Sequence, residues 1–332
     1  MDSLVSIIIP VYEVEEYIER CARSVFEQSY ENIEYIFVND HTKDKSIEVL
    51  NNILLDYPYR ASAVNIITHS YNRGLAAARN TGVSAAHGQY LMHVDSDDYI
   101  ESNTIKECVV VATKNKADIV VFGMVQEFKG TCHKLLPPRV ISKNQYLSKI
   151  IRKDIPAQVC AKLIKTNLYR SYNIYALPGV NFAEDYSVYP KLVYNAQRIE
   201  FLYKSFYHYI RDNNKSYTSQ FNPQNISNAF SAMDEIESFF KQQNQYTEDV
   251  NVSRLRFSAY ALNVCISFSN DNKLIHEIIS NITYSQKSFR ELSINHKIII
   301  YLAYHHHFQL LRVFVKSTRT IYNIIRPYLK RN

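Results

Sequence analysis

Short apolar segments, rich in isoleucine and valine, recur through the first part of the chain. Segments of this kind are typical of buried parallel strands. They are residues 6–11, 35–38, 65–68, 90–94 and 119–122. Between them lie segments with the apolar period of a helix, at residues 15–27, 45–55 and 74–87. Because strands that alternate with helices form right-handed crossovers, the pattern predicts an α/β fold whose sheet is covered on both faces.

Polar side chains follow three of these predicted strands at the point where each strand ends. Tyr12 follows the first strand, Asp40 follows the second, and Asp95, Asp97 and Asp98 follow the fourth. In such sheets ligands bind beyond the carboxyl ends of the strands. The pattern therefore predicts a nucleotide pocket at this edge of the sheet.

The acidic group itself, Asp95-Ser96-Asp97-Asp98, has two interpretations. Neighbouring carboxylates repel one another unless a positive charge lies between them, and Mg²⁺ or Mn²⁺ bridging to a phosphate would supply it. Alternatively, the group caps the helix predicted at residues 104–114, because Asp and Ser are favoured caps and acids suit the positive end of the helix dipole. The shared edge favours the metal site.

Beyond residue 129 the alternation of strands and helices stops. Residues 133–139 contain Pro137-Pro138 and predict a loop, residues 158–167 predict an amphipathic segment after a helix at 143–152, and Glu184-Asp185 precede a helix at 186–196. Two strand-like runs follow, at 199–203 and 207–210. From residue 225 onward helices dominate the pattern.

Composition excludes several classes of protein. With 332 residues, 46% hydrophobic and 21% charged, the chain is of ordinary globular composition and is neither disordered nor fibrous. The five widely spaced cysteines form no CxxC pair, which argues against a zinc site or a disulfide framework and favours a reducing cytoplasm. The N-terminus lacks the features of a signal peptide, and no apolar run is long enough to span a bilayer.

Positive charge is concentrated at the C-terminus. Residues 287–332 contain nine Lys and Arg and one acid, Glu291, a balance of +8, while the whole chain carries +6. Apolar residues such as Leu311 and Phe314 are interspersed among them. The pattern predicts either a helical surface for anionic lipid or an acidic partner, or packed terminal helices with solvated basic faces. The run His305-His306-His307 is not a metal site, since adjacent helical positions point about 100° apart.

Several segments, in order, resemble family 2 glycosyltransferases. The segments are residues 5–12, 17–18, 24–30, 37–40, 72–82, 95–98 and 184–185. The resemblance covers roughly residues 4–216 and implies a GT-A fold, a Rossmann-like and mostly parallel sheet that binds a nucleotide-sugar. It also implies a divalent cation and inversion at the anomeric carbon. The helical region that follows would be an extension of that fold.

The resemblance also implies roles for the acids. Asp97 would bind Mn²⁺ or Mg²⁺, Asp95 would lie beside the metal at the donor, and Asp98 would support them. Asp185 would be the catalytic base, with Glu184 alongside to bind the acceptor or tune Asp185. Further residues are expected at the nucleotide-sugar: Pro10, Tyr12, Asp40 at the uracil N3–H, Arg79, Ser96, and Arg211 at the pyrophosphate.

The chain departs from the family pattern at two places. His41 stands where many relatives have glycine. Cys160-Ala161-Lys162-Leu163 stands where relatives often have Trp-Asn-Lys-Leu, so that Lys162 is kept and the aromatic residue is not. His41 is expected to reshape its loop slightly.

Together these patterns predict an inverting, metal-dependent glycosyltransferase that uses a UDP-sugar and a glycan or lipid-carrier-linked acceptor in cell-surface polysaccharide biosynthesis. Residues 1–220 would form the catalytic domain, with a nucleotide-binding half (1–125) and an acceptor half (126–220). Residues 221–332 would form a helical region whose basic tail holds a cytoplasmic protein peripherally on the inner face of the plasma membrane. No nucleic acid is expected as a partner.

Two other functions stay open. A sugar-phosphate nucleotidyltransferase would carry a glycine-rich phosphate loop after the first strand, whereas this chain has Pro10-Val11-Tyr12-Glu13 there. A non-catalytic relative that binds nucleotide-sugar is the other alternative, and the intact Asp97 and Asp185 argue against it.

Overall fold

The structure is a computed structural model in which the chain forms two compact units. The first is Met1–Ile150 with Ile155–Ser219, and the second is Ile151–Asp154 with Gln220–Asn332. The structure describes residues 3–140, 142–211, 222–269, 271–282 and 285–329, with side chains to residue 318.

Among the described residues, nine strands of the first unit form one sheet. The strands are β1 Val5–Val11, β2 Ile33–Asn39, β3 Val64–Thr68, β4 Tyr90–His93, β5 Tyr99–Ile100, β6 Ile119–Phe128, β7 Thr131–Leu135, β8 Lys162–Lys165 and β9 Ile199–Ile210. Their order is β3-β2-β1-β4-β8-β6-β9-β5, and β7 pairs with β6. The neighbours β3, β2, β1 and β4 are parallel, whereas β8 is antiparallel to both β4 and β6. The five strands expected from the apolar segments are confirmed.

Helices follow the strands as the alternation predicts. In chain order they are α1 Ile18–Phe26, α2 Ser46–Leu54, α3 Leu75–Ala85, α4 Thr104–Asn115, α5 Lys143–Ile151, α6 Thr166–Ser171 and α7 Glu184–Asn195. Ile7 and Ile9 of β1 belong to the same core cluster as residues of α1, and Ala78 of α3 packs with Ile36 and Val38 of β2 in a separate cluster. Strands β1, β2 and β4 are therefore buried on both faces, which explains why they are almost continuously apolar.

Three expectations for the second half of the first unit are corrected. The amphipathic segment predicted at 158–167 contains strand β8 and the start of α6, because its apolar residues are buried between neighbouring strands. The loop predicted at 133–139 begins within β7. The two strand-like runs at 199–203 and 207–210 are one strand, β9, whose pairing with β6 shifts register near Gly123.

The second unit is helical, as expected. Its helices are α8 Pro223–Gln242, α9 Thr247–Phe268, α10 Asn272–Ser280, α11 Gln286–Arg290, α12 Ile294–Tyr304 and α13 Phe308–Leu329. Its core includes Ile236 of α8, Leu262 of α9 and Ile300 of α12, each fully buried. None of the helices in the described part of the chain is both long enough and apolar enough to cross a membrane.

Helix α3 lies unusually close to strand β1. Gly82 faces Ile8, and a Cβ built at Gly82 would lie within clashing distance of the Ile8 Cγ2 atom. Glycine costs about 1 kcal/mol in a helix relative to alanine. The close approach gives a reason for glycine here, since it lets α3 lie directly on the sheet.

We expect Gly82→Ala to destabilise the first unit although alanine is the better helix former. Overpacking of a core typically costs about 1–3 kcal/mol, which for a unit of this size lowers Tm by roughly 2–12 °C. Thermal unfolding followed by circular dichroism measures the shift, and Ser84→Ala, an exposed position on the same helix, is the matched control. Equal Tm values for Gly82→Ala and wild type would contradict the tight packing.

Candidate functional site

The ends of three parallel strands meet at one edge of the sheet. Val11 lies beside Asn39 in the register of β1 and β2, and the backbone N–H of Asp40 donates to the carbonyl oxygen of Val11 at 3.0 Å. Strand β4 runs parallel on the other side of β1. Tyr12, Asp40 and Asp95, each of which follows one of these strands, therefore leave the sheet at the same edge, as predicted.

The guanidinium group of Arg79, on α3, is buried among three carboxylates. Its Nη2 donates to Oδ1 of Asp95 at 2.7 Å, and its Nη1 donates to Oε1 of Glu184 at 2.6 Å and also to Oδ1 of Asp185. The Arg79 side chain is only 7% exposed. One cation thus joins the acid that follows β4 to the acid pair that begins α7. A contact between Arg79 and a nucleotide stays a prediction.

The acid pair is oriented by contacts around the start of α7. Ala183 precedes the helix with a left-handed φ of 64°, and the backbone N–H of Val159 donates to Oδ2 of Asp185 at 3.2 Å. Asn181 accepts a hydrogen bond at 3.2 Å from a backbone N–H in the first turn of α3. A Cβ at Gly74, whose φ is +86°, would strike the Asn181 side chain. The start of α3 and the segment before α7 are therefore tied together.

The acidic group after β4 is a turn and not a helix cap. The backbone N–H of Asp98 donates to the carbonyl oxygen of Asp95 at 2.9 Å. The side chain of Asp98 is fully buried, and α4 begins only after its N-cap residue, Asn103. The capping interpretation, including any capping role for Asp98, is therefore wrong. Asp95 has a side chain that is 25% exposed, and Asp97 is half-buried.

Asp95 and Asp97 have the chemistry that Mg²⁺ or Mn²⁺ prefers. Both ions favour carboxylate oxygens, and nucleotide-dependent sites often use only one or two protein carboxylates together with phosphate oxygens and water. Over the residues that the structure describes, there is no group of three or more His, Cys, Asp or Glu side chains that could hold a metal ion. Metal binding through Asp97 and Asp95 stays a prediction.

Asp40 has internal hydrogen-bond partners that the sequence did not indicate. Its Oδ1 lies 2.7 Å from Nδ1 of His69 and accepts from the backbone N–H of Arg73 at 2.8 Å. Its Oδ2 accepts from the backbone N–H of Gly74 at 2.7 Å, and the other ring nitrogen of His69 lies 2.9 Å from Oγ1 of Thr81. Asp40 therefore fixes the loop that leads into α3. Its contact with a uracil base stays a prediction.

The remaining expected site residues lie at different places on the first unit. Pro10 is buried in β1, Ser96 is buried in the acidic turn, and Tyr12 is 37% exposed at the edge of the sheet. Arg211, directly after β9, is exposed and its guanidinium group lies 5.4 Å from the ring centroid of Tyr209. These four roles at the donor also stay predictions.

Both departures from the family pattern lie in left-handed backbone. His41 has a φ of 60° and Ala161 has a φ of 57°, a conformation that costs little only for glycine and, less so, for asparagine. Lys162, which the pattern keeps, is buried, with its Nζ donating to the carbonyl oxygen of Cys160 at 3.0 Å and lying 4.7 Å from the ring centroid of Tyr189.

A family model and a similar protein both point to the same family of enzymes. The model of the family described as "Glycosyl transferase family 2" matches residues 6–168. The chain is 34% identical over 226 residues to the uncharacterized glycosyltransferase EpsJ of Bacillus subtilis, an alignment that covers 66% of this chain and 64% of EpsJ. Residues 6–168 of the chain therefore belong to glycosyltransferase family 2. The chain spans less than two thirds of EpsJ.

Solved structures of glycosyltransferases share the fold of this chain. TarS residues 1–349 of S. aureus, in complex with UDP-GlcNAc, matches 96% of this chain and 92% of its own with a TM-score of 0.71 at 20% identity. The mannosyltransferase PcManGT of Pyrobaculum calidifontis, in complex with GDP-Man and Mn²⁺, matches 98% and 88% with a TM-score of 0.52 at 13% identity. The expected GT-A fold is therefore confirmed.

The acid pair Glu184-Asp185 does not titrate as two ordinary carboxyls. Burial, and next the charge of Asp185, raises the pKa of Glu184 to about 8. Burial also raises the pKa of Asp185, and the positive charge of Arg79 opposes that rise. Glu184 therefore keeps its proton at pH 7.

We expect Glu184→Gln to stabilise the first unit at pH 8 but not at pH 4. The usual pKa of 4.5 is raised to about 8 in the folded protein, so between these values the unfolded chain releases a proton that the folded chain keeps, and stability falls as the pH rises. Glutamine has no proton to lose. The Tm of the Glu184→Gln variant should therefore exceed that of wild type at pH 8 by at least roughly 2 °C.

The matched control is Glu19→Gln, which changes a surface carboxylate that is 58% exposed. This variant should show the same difference in Tm between pH 4 and pH 8 as wild type. Thermal unfolding by circular dichroism gives both Tm values. The assignment of the proton to Glu184 fails if Glu184→Gln and wild type lose stability equally between pH 4 and pH 8.

Proposed function

We propose that this protein is an inverting glycosyltransferase that moves a sugar from a nucleotide-sugar to a hydroxyl group of a glycan or a lipid-linked acceptor. The observation that carries this proposal is the cluster around Arg79. It joins Asp95, at the edge of the sheet where nucleotides bind, to Asp185, at the start of α7. A donor-binding acid and a proton-accepting acid are thus parts of one buried arrangement.

A UDP-sugar is the donor that we propose. TarS, which shares the fold, was solved with UDP-GlcNAc. In this chain Oδ2 of Asp40 accepts one hydrogen bond from Gly74 and retains a lone pair for the uracil N3–H. Pro10 and Tyr12 would line the same pocket. Ser96 and Arg211 would contact the sugar-diphosphate part of the donor.

Asp185 has the role of catalytic base in this proposal. An acceptor hydroxyl has a pKa far above neutral, so a carboxylate must take its proton as the oxygen attacks the anomeric carbon. The hydrogen bond from the Val159 N–H to Oδ2 fixes the orientation of Asp185. Glu184, which keeps its own proton, can donate a hydrogen bond to an acceptor oxygen.

The acidic turn would serve the leaving group. Asp97, with Asp95 beside it, would hold Mn²⁺ or Mg²⁺, and that ion, when bound, supplies positive charge for the diphosphate that leaves. Asp95 contacts Arg79 as well, which keeps its carboxylate in a fixed orientation. The donor half would comprise residues 1–125 and the acceptor half residues 126–220.

The alternatives are weaker than this proposal. A non-catalytic relative that only binds nucleotide-sugar has no need for the buried Glu184-Asp185 pair beside Arg79, which is costly to bury. A sugar-phosphate nucleotidyltransferase is disfavoured by the family match and by the absence of glycine in Pro10-Val11-Tyr12-Glu13.

A thermal-shift panel tests the proposal directly. Several UDP-sugars and GDP-mannose are each added to the full chain with Mn²⁺. A donor present at 100 times its Kd adds about 2.7 kcal/mol to the stability of the folded state. A rise in Tm for UDP-sugars that is absent with uridine alone supports the donor. No rise with any nucleotide-sugar would overturn the proposed function.

We expect Asp185→Asn to retain UDP binding and to lose sugar transfer by about 100-fold or more, the usual contribution of a general base. Asp97→Asn is expected to lose both sugar transfer and metal-dependent donor binding. Release of UDP from the donor, with glycan acceptors or with water, measures transfer, and calorimetry measures binding. The two variants thus separate the proton acceptor from the metal ligand.

The control for both is Asp56→Asn, a surface acid that is 58% exposed and pairs with Arg23. It should transfer as wild type does. Normal transfer by Asp185→Asn would disprove the assignment of the base, whatever the result for Asp97.

The second unit offers a surface that suits an anionic membrane. On α13, Leu311 and Val315 are buried, whereas Leu310 and Val313 are 59% and 63% exposed and share their face with exposed Lys316. Apolar residues beside basic ones bind the interface of anionic lipid. We therefore propose peripheral attachment to the inner face of the plasma membrane, where a role in cell-surface polysaccharide synthesis would bring the protein to lipid-linked acceptors.

We expect the wild-type protein to co-sediment with vesicles of phosphatidylglycerol and phosphatidylcholine, and to be released by salt, which screens the charges. The double variant Leu310→Glu/Val313→Glu should lose most of this binding. Leu55→Glu/Val110→Glu makes the same change at exposed apolar residues of the first unit and should bind as wild type does. Equal binding by all three proteins would show that α13 does not contact the membrane.

A further inference from the structure

The acidic turn is attached to the far end of strand β9. Strand β5 follows the turn at once and pairs antiparallel with β9, so that Tyr99 lies opposite His208 and Ile100 lies opposite Tyr207. The rings of Tyr99 and His208 stack with centroids 4.1 Å apart. The turn is therefore held by a strand that lies about 100 residues later in the chain.

Inside the unit, a buried tyrosine completes this attachment. Tyr207 is fully buried, and its hydroxyl group donates to Oδ2 of Asp98 at 2.7 Å while accepting from the backbone N–H of Asp95 at 3.1 Å. The other oxygen of Asp98 accepts from the backbone N–H of Ile210 at 2.8 Å. One hydroxyl group thus contacts both the first and the last residue of the acidic turn.

We propose that Tyr207 is a positioning residue that, through Asp98, holds the acidic turn in the shape in which Asp95 and Asp97 present their carboxylates to a divalent cation. This inference rests on the proposed function, because it takes the turn to be the metal-binding part of a glycosyltransferase. Tyr207 contacts neither metal nor donor in this assignment. It acts on the ligands through their backbone.

The chemistry of the two buried groups supports a positioning role. A hydroxyl group can donate one hydrogen bond and accept others, and Tyr207 uses both capacities on the same turn. The turn closes on itself through the hydrogen bond from Asp98 to Asp95, at 2.9 Å, which leaves Asp97 inside the closed segment. A buried polar group that loses its hydrogen-bond partner destabilises the folded state. Removing the hydroxyl group of Tyr207 leaves the Asp98 carboxyl and the Asp95 N–H without this partner, so it should loosen the turn more than the strand.

Hydrogen bonds to β9 account for the burial of Asp98. A buried carboxylate is costly unless hydrogen bonds compensate it. Both oxygens of Asp98 have such partners on β9, namely Tyr207 and Ile210. Outer groups that orient metal ligands typically change metal affinity or activity by about 10–100-fold when they are removed.

The test compares Tyr207→Phe with Tyr203→Phe. Both changes remove one hydroxyl group from β9, but Tyr203 is 49% exposed. Calorimetry measures UDP binding to the full chain with Mn²⁺ and again with EDTA, and the Mn²⁺ concentration that gives half-maximal binding is read from a titration. Circular dichroism and Tm confirm that each variant is folded.

We expect Tyr207→Phe to need about ten times more Mn²⁺, or more, for half-maximal UDP binding, with UDP binding in EDTA unchanged. Tyr203→Phe should match wild type in both conditions. Asp98→Asn replaces one of the two accepting oxygens of Asp98 with an amide nitrogen. The double variant should bind no more weakly than the weaker single variant, because both changes act on one contact. If Tyr207→Phe does not fold, Asp98→Asn against wild type decides the question.

The outcomes separate the inference from the function on which it rests. Wild-type protein that binds no UDP with Mn²⁺ overturns the proposed function and the inference together. Wild-type protein that binds, with Tyr207→Phe and Asp98→Asn equal to Tyr203→Phe, leaves the function standing and overturns the role of Tyr207. Equal losses with Mn²⁺ and with EDTA also overturn it, since they indicate a general structural effect.

Discussion

Negative charge in the interior of the first unit is the constraint on which the site depends. Asp95, Glu184 and Asp185 lie around a single guanidinium group, that of Arg79, and buried carboxylates are costly unless a cation and hydrogen bonds compensate them. Even with Arg79 present, the charge is reduced further by a proton on Glu184, whose pKa is raised to about 8 by burial and then by Asp185. The charge of this cluster therefore depends both on Arg79 and on the proton that Glu184 keeps.

The position of Arg79 is in turn a result of backbone packing. Gly82 allows α3 to lie against Ile8 of β1, and Gly74 allows the start of the same helix to lie against Asn181, just before α7. One helix thus touches the strand that leads to the proposed nucleotide-binding edge and the segment that leads to the acid pair. The glycines set the distance between the two halves of the proposed site, although neither of them carries any chemistry.

The sequence was sufficient for the features that are periodic or local. The five apolar strands, the helices between them and the edge that gathers Tyr12, Asp40 and Asp95 follow from spacing alone. Strand β8 was missed because four residues buried between two antiparallel neighbours carry no period that distinguishes them from a helix. The hydrogen bonds of Asp98 were missed because they depend on Tyr207, a residue of β9 that no local pattern connects to the acidic turn.

The left-handed residues show why the remaining part of the site could not be predicted from residue types. His41 and Ala161 have positive φ values although neither is glycine or asparagine, and so does Ala183 at the start of α7. Such a conformation costs about 1–2 kcal/mol in a residue with a Cβ, and it persists only where the surrounding structure determines it. Two of these residues lie beside Asp40 and Glu184, in loops whose shape is fixed by buried hydrogen bonds. The backbone conformation of these loops is therefore determined by their hydrogen-bond partners. A change of residue type at such a position need not change the shape of the loop.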